Sequence, residues 1–442
     1  MGRRFGTDGI RGEVGVDITA DLALALGRAV GHRFGGPGRS VVLGRDPRRS
    51  GEMLGAALGA GLVATGTDVV DLGIVTTPCL VHASADLAFA AGVMVSASHN
   101  PARDNGLKVV AGGRKVDDNV EADLERLIDD PVAIPTRPNH ELGRLRPDRG
   151  AIETYRRTLE DVAGEAFVGL RLGIDCANGS AAVIAPDLFR SLGAEVTVLF
   201  DAPDGSNIND GCGTTHPERL AETVAAAGLE IGLAFDGDAD RLIAVDERGS
   251  LVDGDAVMGI CALEMLAAGT LRNNVLVATV MSNGGLQRAI TQAGGRMVVT
   301  AVGDRNVFEA MEREDATLGG EQSGHIIFRN RSLTGDGLLT GIELVRAMRT
   351  ARAPLSELAA RIPRLPQVMI NSAARDRDVW ESDPEFASAV ARATARMGDR
   401  GRVLVRPSGT EPKIRIMVEG DNAGEIHEIA RELAALAEAR LN

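Results

Sequence analysis

The sequence predicts an α/β protein: three related α/β domains followed by a smaller α+β domain at the C-terminus. Three observations lead there. One strand–loop–helix–glycine–strand plan occurs three times along the chain. The character of the sequence changes after Pro363 and Pro366. The length of 442 residues also exceeds one compact domain and suits three or four at roughly 100–150 residues each.

The first copy of the plan runs through Val41-Val42-Leu43-Gly44, a helix reaching from Ala56 to Ala64, and Gly66-Thr67-Asp68-Val69-Val70. The second is Leu172-Gly173-Ile174-Asp175, a helix ending at Ser191, and Gly193-Ala194-Glu195-Val196-Thr197-Val198. The third is Val275-Leu276-Val277-Ala278, a helix from Leu286 to Thr291, and Gly294-Gly295-Arg296-Met297-Val298-Val299. Short β-rich runs alternating with helices call for largely parallel pairing. Pro131, Pro135, Pro138 and Pro147 crowd one polar stretch, which reads as a linker. Glu247-Arg248-Gly249-Ser250 marks a further turn. The expected domains are therefore 1–150, 151–248, 249–365 and 366–442. The last carries strands at Val403–Val405 and Ile414–Val418 and a charged terminal helix.

Composition narrows the function. Acidic residues outnumber basic ones 62 to 48, for a net charge of −14. That balance argues against nucleic acid or an anionic membrane as a partner. No apolar run approaches the ~20 residues that span a bilayer, and the N-terminus lacks the apolar core of a signal peptide. A cytoplasmic protein is expected. Cys79, Cys176, Cys212 and Cys261 are widely spaced without a Cys-x-x-Cys, as in reduced thiols. Lysine is scarce: only Lys108, Lys115 and Lys413 stand among the 48 basic residues.

Four loops carry chemistry. In Val93-Met94-Val95-Ser96-Ala97-Ser98-His99-Asn100-Pro101 an apolar strand runs into an Asn-Pro turn, placing Ser98 at its tip. Such a serine can be a nucleophile or a phosphoryl carrier, but from this loop alone a simple turn cap is the better reading. A hydrolase triad fits poorly, because neighbours in extended chain point apart and no Gly-x-Ser-x-Gly surrounds Ser98.

The second loop, Asp236-Gly237-Asp238-Ala239-Asp240-Arg241, sets three carboxylates at alternate positions between two apolar strands. Their repulsion calls for a cation. Asp236, Asp238, Asp240 and Glu247 imitate EF-hand spacing, but Arg241 stands where that loop needs glycine and strands flank it. Few carboxylates with open coordination positions suit Mg²⁺ acting on a phosphate.

The third, Gly319-Gly320-Glu321-Gln322-Ser323-Gly324-His325, would place Glu321, Ser323 and His325 on one face if extended. A carboxylate beside a hydroxyl suits a pair of sugar hydroxyls. The fourth is Arg406-Pro407-Ser408-Gly409-Thr410-Glu411-Pro412-Lys413-Ile414-Arg415. There Ser408, Gly409 and Thr410 supply hydroxyl and N–H donors between Arg406 and Arg415, an anion cradle.

With Phe5-Gly6-Thr7-Asp8-Gly9-Ile10-Arg11-Gly12 at the front, these loops in this order resemble the α-D-phosphohexomutase family across the whole chain. One departure is Ala239, where the family usually has glycine. The resemblance implies three α/β domains with mixed sheets and a fourth α+β domain, arranged around one active-site cleft. It implies conversion of glucosamine 6-phosphate to glucosamine 1-phosphate through a 1,6-bisphosphate, on the route to UDP-N-acetylglucosamine and the cell wall. A mannose or glucose phosphate as substrate, or an inert sugar-phosphate-binding relative, are the alternatives. It further implies Ser98 carried as phosphoserine, and one Mg²⁺ per subunit on Asp236, Asp238, Asp240 and Ser98. Arg11, His99, Lys108 and Arg241 would serve the reacting phosphoryl group. Glu321, Ser323 and His325 would hold the sugar, and Arg406, Ser408, Gly409, Thr410 and Arg415 the distal phosphate. The sequence leaves the oligomeric state open, with a homodimer among the options. Lys108 is the expected proton carrier, since lysine can release a proton where arginine cannot. Lys115, in what reads as a polar turn, is expected to stand apart from the chemistry.

Overall fold

The computed structural model describes residues 4–6, 8–86, 88–135, 137–375, 377–407 and 413–441. The chain divides into two compact units, residues 1–282 with 290–361 and residues 283–289 with 362–442.

The first unit holds three sheets built on one plan. In the first, strand Ser40–Arg45 lies between Asp68–Ile74 and Phe89–Val95, parallel to both, and Asp104–Ala111 pairs antiparallel with Phe89–Val95. The second repeats this order with Arg171–Asp175, Glu195–Leu199, Ile231–Phe235 and the antiparallel Leu242–Asp246. The third repeats it with Val275–Thr279, Arg296–Thr300, Leu318–Gly320 and the antiparallel Ile326–Phe328. The three expected strand–helix–strand copies are therefore real parallel pairs. The antiparallel fourth strand makes each sheet mixed.

This topology places the chemistry. The connection between the third parallel strand and its antiparallel partner is a turn, and the three such turns are the loops around Ser98, Asp236 and Glu321. An antiparallel pair needs only a short connection, whereas the parallel pairs need helices. Helix Ser50–Ala64 serves the first sheet and buries Leu54, Leu58 and Leu62 against Val41, Leu43, Val93 and Val95. Helix Gly337–Ala351 follows the third sheet and is capped by Asp336, whose carboxylate accepts from the Leu339 N–H at 3.0 Å.

The proline-rich stretch is not a plain linker. Its Leu145–Pro147 forms a strand parallel to Asp68–Ile74, with Val69 opposite Leu145. Backbone pairing there satisfies groups that a bare linker would leave to water.

The second unit carries the three-stranded antiparallel sheet Gln367–Ala373, Lys413–Gly420, Gly401–Pro407, packed on helices Pro384–Met397 and Ala423–Leu441. It is the expected α+β domain. No helix among the described residues is long and apolar enough to cross a membrane.

Candidate active site

Ser98 sits in a turn that the backbone does not adopt freely. Its φ is +54°, in the left-handed region that costs a serine about 1–3 kcal/mol. Neighbouring donors and acceptors hold it there. The Ser98 N–H donates to Ser96 Oγ at 2.9 Å, and its carbonyl accepts from Arg48 Nη2 and Asn209 Nδ2, each at 2.9 Å. The Ser98 hydroxyl is buried and donates to Asp236 Oδ2 at 2.5 Å. His99 Nδ1 lies 3.4 Å from the same oxygen. Burial, with Arg241 and Arg11 nearby, pushes the His99 imidazole down to about 4, so it is neutral at pH 7.

The acidic turn lies directly on this serine. A Cβ at Gly237 would meet the Ser98 carbonyl oxygen at 2.5 Å, so only glycine allows the approach. Asp236, Asp238 and Asp240 are all buried, and one carboxylate oxygen from each lies within 4.8 Å of the others. The expected convergence is present, but a turn achieves it, with Ala239 at φ +56°.

Cations answer part of that charge. Lys108 Nζ donates to Asp238 Oδ2 at 2.7 Å and lies 3.1 Å from Asp8 Oδ2 and 3.6 Å from Asp240 Oδ2. Thr77 Oγ1 also donates to Asp238 Oδ2, at 2.5 Å. Burial and Asp240 push the Asp238 carboxyl up, and Lys108 and Thr77 outweigh them and leave it below its usual range. Asp240 is likewise buried, yet Lys108, His325 and Arg241 hold it well below. Asp236 is only partly compensated: burial, Asp240 and Asp238 outweigh Arg241 and Ser98 and push it up to about 8.

Among the described residues, Asp238 Oδ1 and Asp240 Oδ1 are buried without a hydrogen-bond partner. Two carboxylate oxygens without hydrogen-bond partners, beside a third buried acid, fit a hard divalent cation with oxygen ligands. Arg11 and Arg241 flank the cluster. The Arg241 N–H donates to Asp236 Oδ1 at 3.2 Å, and Arg11 pairs with Asp8. Each has a buried Nε with no hydrogen-bond partner among the described residues, donor capacity that suits an anion.

The third loop departs from the expected extended form. Gly324 N donates to Glu321 O at 3.0 Å, and Glu321 N to His325 O at 3.0 Å, closing a tight turn. Glu321, Ser323 and His325 therefore do not share a strand face. Ser323 Oγ approaches Glu321 Oε2 at 3.5 Å. His325 instead lies buried beside the acids, with Nδ1 3.7 Å from Asp240 Oδ2. Its Nε2 accepts from the Gly335 N–H at 3.1 Å, which puts the neutral ring's proton on Nδ1. Burial opposes the imidazolium, but Asp240 and Asp304 outweigh it and raise the pKa. The loop is tied to the acidic turn by Leu242 N donating to Gly324 O at 3.1 Å.

Lys115 corrects the sequence reading. It is no bystander in a polar turn: it lies in the short strand Arg114–Lys115, ion-paired with Asp8 and Asp304. Burial lowers its pKa against the pull of Asp304. Asp8 thus joins Lys108 to Lys115. The scarcity of lysine marked both residues, and the surrounding glycines hid the second. Arg48, Asp46, Ser96, Asn209, Thr77 and Asp304 were missed altogether, and nothing local in the sequence distinguishes them.

In the second unit, Ser408, Gly409 and Thr410 lie outside the described residues. Arg406 and Arg415 are directly opposite each other on adjacent antiparallel strands, hence on one face. Like charges in that position repel unless an anion lies between them.

Comparison with known proteins covers the chain from end to end. Four family profiles match in order. They are phosphoglucomutase/phosphomannomutase alpha/beta/alpha domain I over residues 2–132, domain II over 154–249, domain III over 253–365, and the C-terminal domain over 369–436. A Symbiobacterium thermophilum protein named phosphoglucosamine mutase is 49% identical over 447 residues, covering 100% of both chains. One of the same name from Moorella thermoacetica is 49% identical over 441 residues, covering 99% of each. The crystal structure of a phosphoglucomutase/phosphomannomutase family protein from Burkholderia thailandensis superposes with a TM-score of 0.84 at 29% identity, covering 100% of this chain and 99% of that one.

Proposed function

Since the chain belongs to the phosphoglucomutase/phosphomannomutase family, we propose that it is an enzyme interconverting glucosamine 6-phosphate and glucosamine 1-phosphate. The observation that carries this reading is the Ser98 hydroxyl, donating at 2.5 Å into a buried acid cluster that has spare carboxylate oxygens. Full-length relatives at 49% identity named phosphoglucosamine mutase support the amino sugar over glucose or mannose. An inert binding relative would have no reason to retain a serine, three acids and a lysine in mutual contact.

Ser98 carries the phosphoryl group as phosphoserine. A hydroxyl of the bound sugar phosphate attacks phosphorus, the new sugar O–P bond forms and the Ser98 Oγ–P bond breaks. The 1,6-bisphosphate turns round, and its other phosphoryl group returns to Ser98 by the reverse step. The sugar-hydroxyl proton passes to Lys108 in its amine form, within reach of the acidic turn, and from Lys108 to the departing Ser98 oxygen, and the reverse step returns it by the same route. Arg11 and Arg241 turn their unpartnered Nε donors toward charge on the transferring oxygens. His99, neutral and beside Ser98 Oγ, accepts or donates one hydrogen bond without adding charge.

Asp236, Asp238 and Asp240, with an oxygen of modified Ser98, would hold one Mg²⁺, which when bound neutralises charge at the transferring phosphoryl group. Glu321 and Ser323 hold the sugar ring with His325 behind them. Arg406 and Arg415, with Ser408, Gly409 and Thr410, grip the phosphate that is not reacting. All four cysteines are buried and free, the state expected of a reducing cytoplasm.

A coupled assay with glucosamine, glucose and mannose 6-phosphates tests this. The largest kcat/KM should be for the amino sugar, and a larger value for either other substrate would overturn the assignment. Intact mass should show a phosphorylated population that Ser98→Ala lacks.

A further inference from the structure

The strongest buried polar arrangement outside the reacting groups lies beneath the Ser98 turn. Arg48 is 1% exposed, and its guanidinium is spent almost wholly on main-chain carbonyls. Nη2 donates to Ser98 O at 2.9 Å and Asn100 O at 2.8 Å. Nη1 donates to Pro101 O at 2.5 Å and Asp104 O at 3.0 Å. Nε donates to Asp46 Oδ2 at 2.8 Å, and the Arg48 N–H to Asp46 Oδ1 at 3.0 Å.

Asp46 closes the arrangement. Its Oδ2 also accepts from Ser96 Oγ at 2.7 Å, and Ser96 Oγ in turn accepts from the Ser98 N–H. The Ser98 peptide is thus held at its N–H through Ser96 and Asp46, and at its carbonyl through Arg48. Asn209, from the second sheet's domain, adds donors to the same Ser98 and Asn100 carbonyls at 2.9 and 3.1 Å.

We propose that Arg48 is a positioning residue for the phosphoryl carrier: it fixes the left-handed Ser98 turn so that Oγ points at the acidic turn. An ordinary buried arginine pairs with carboxylates. This one pairs with a single acid and reads four carbonyls of one turn, an arrangement that fixes backbone geometry. Only a planar fork with five donors can reach them all, so lysine cannot replace it. Among the described residues Arg48 makes no hydrogen bond to Ser98 Oγ or to the acids of the cluster, so its effect passes through the turn. The inference rests on Ser98 as the carrier proposed above.

The test compares wild type, Arg48→Lys, Asn209→Ala and Ser98→Ala as full-length proteins, in the coupled assay with glucosamine 6-phosphate. Misplacement of a reacting atom by about 1 Å costs ~10²-fold, so Arg48→Lys should lose about that in kcat with KM within about threefold of wild type. Circular dichroism should be unchanged, and the ³¹P resonance of phosphoserine should shift or broaden. Asn209→Ala, which removes the weaker hold on the same carbonyls, should lose about tenfold in kcat and likewise spare KM. If Arg48→Lys does not fold, the Asn209→Ala result decides alone. A folded Arg48→Lys with wild-type kcat, or Asn209→Ala with wild-type kcat, overturns the inference. Turnover by Ser98→Ala would instead overturn the carrier reading itself, whatever Arg48 does.

Discussion

Replacing Lys108 by arginine separates charge from proton transfer. Lys108 is 2% exposed, with Asp238, Asp8 and Asp240 at 2.7, 3.1 and 3.6 Å from its ammonium. Arginine keeps the positive charge, so the three carboxylates stay compensated. The larger head must be accommodated in a packed site, an overpacking cost of ~1–3 kcal/mol in stability. What arginine cannot do is release a proton near neutral pH. The expected loss in kcat is therefore ~10²–10⁴, the usual worth of general acid–base catalysis. Lys108→Met should behave differently. It leaves buried carboxylates without their cation and should destabilise the fold by ~3–5 kcal/mol, an effect that added Mg²⁺ partly offsets through binding to the native state. Lys115→Arg is not a neutral control, because Lys115 pairs with Asp8 and Asp304. Arg190→Lys, 52% exposed on helix Ala185–Ser191, makes a comparable exchange on the surface and should leave turnover unchanged. The coupled assay at saturating substrate, with melting curves for each variant, supplies the numbers. A Lys108→Arg protein turning over like wild type would refute proton transfer by Lys108 and move attention to His325 and His99.

Asp238→Asn should raise the Mg²⁺ concentration needed for activity by at least about tenfold, because an amide lacks the charge that balances a cation; a magnesium titration with unchanged midpoint would remove Asp238 from the ligand set. Arg415→Ala should raise KM for the sugar phosphate by roughly tenfold with kcat nearly intact, as expected for lost ground-state phosphate binding. A fall in kcat at constant KM would place Arg415 at the transferring group instead. Asp336 supplies a pH test. It is buried and accepts from Tyr155 Oη at 2.9 Å, and burial pushes its carboxyl up to about 6. Its folded pKa lies above the unfolded 3.8, so the folded state holds the proton more tightly. The stability this lends at acid pH is lost as pH rises through about 6, on the order of 3 kcal/mol in all. Asp336→Asn should therefore gain stability relative to wild type between about pH 4 and about pH 6, then hold a constant difference. Parallel wild-type and variant melting curves across that window would contradict it.

The strands and turns of the site were legible because their signals are local. Apolar runs bounded by glycine, such as Val41 to Gly44, follow the pattern of strands buried on both faces. The acidic turn declared itself through three carboxylates within five positions. Even so, local pattern misjudged conformation at Glu321. Alternation there suggested an extended face, whereas Gly324, at φ +93°, lets the chain reverse within four residues.

What the sequence concealed is which distant element each side chain meets. Thr77 and Lys108 reach Asp238 from the first sheet's domain, where Asp8 also pairs with Lys108, and the Lys108–Asp238 bond spans 130 residues. A residue's neighbours report the element it lies on and the face it presents; they carry no information about the partner across the interface. Lys115 shows the cost. Gly112, Gly113 and Arg114 around it describe a turn correctly, yet its ion pair with Asp304 spans 189 residues and changes its role. Arg48 is the extreme case, since its partners are carbonyls that every residue possesses. No residue type marks such a partner, so an arginine that holds a turn reads in sequence as one more basic residue on a helix approach. Recognising it required the shared strand order of the three sheets. That order puts the Ser98 turn next to the strand Ser40–Arg45 whose end delivers Asp46 and Arg48. The same topology sets the Asp236 turn beside strand Arg171–Asp175, whose end delivers Asp175 to hold Gly213 and Ala177 through their N–H groups at 2.9 and 2.8 Å. In both domains, a buried acid at the end of the central parallel strand fixes the backbone next to a functional turn. The repeat therefore places an acid that holds neighbouring backbone N–H groups or side chains at the same point of both sheets.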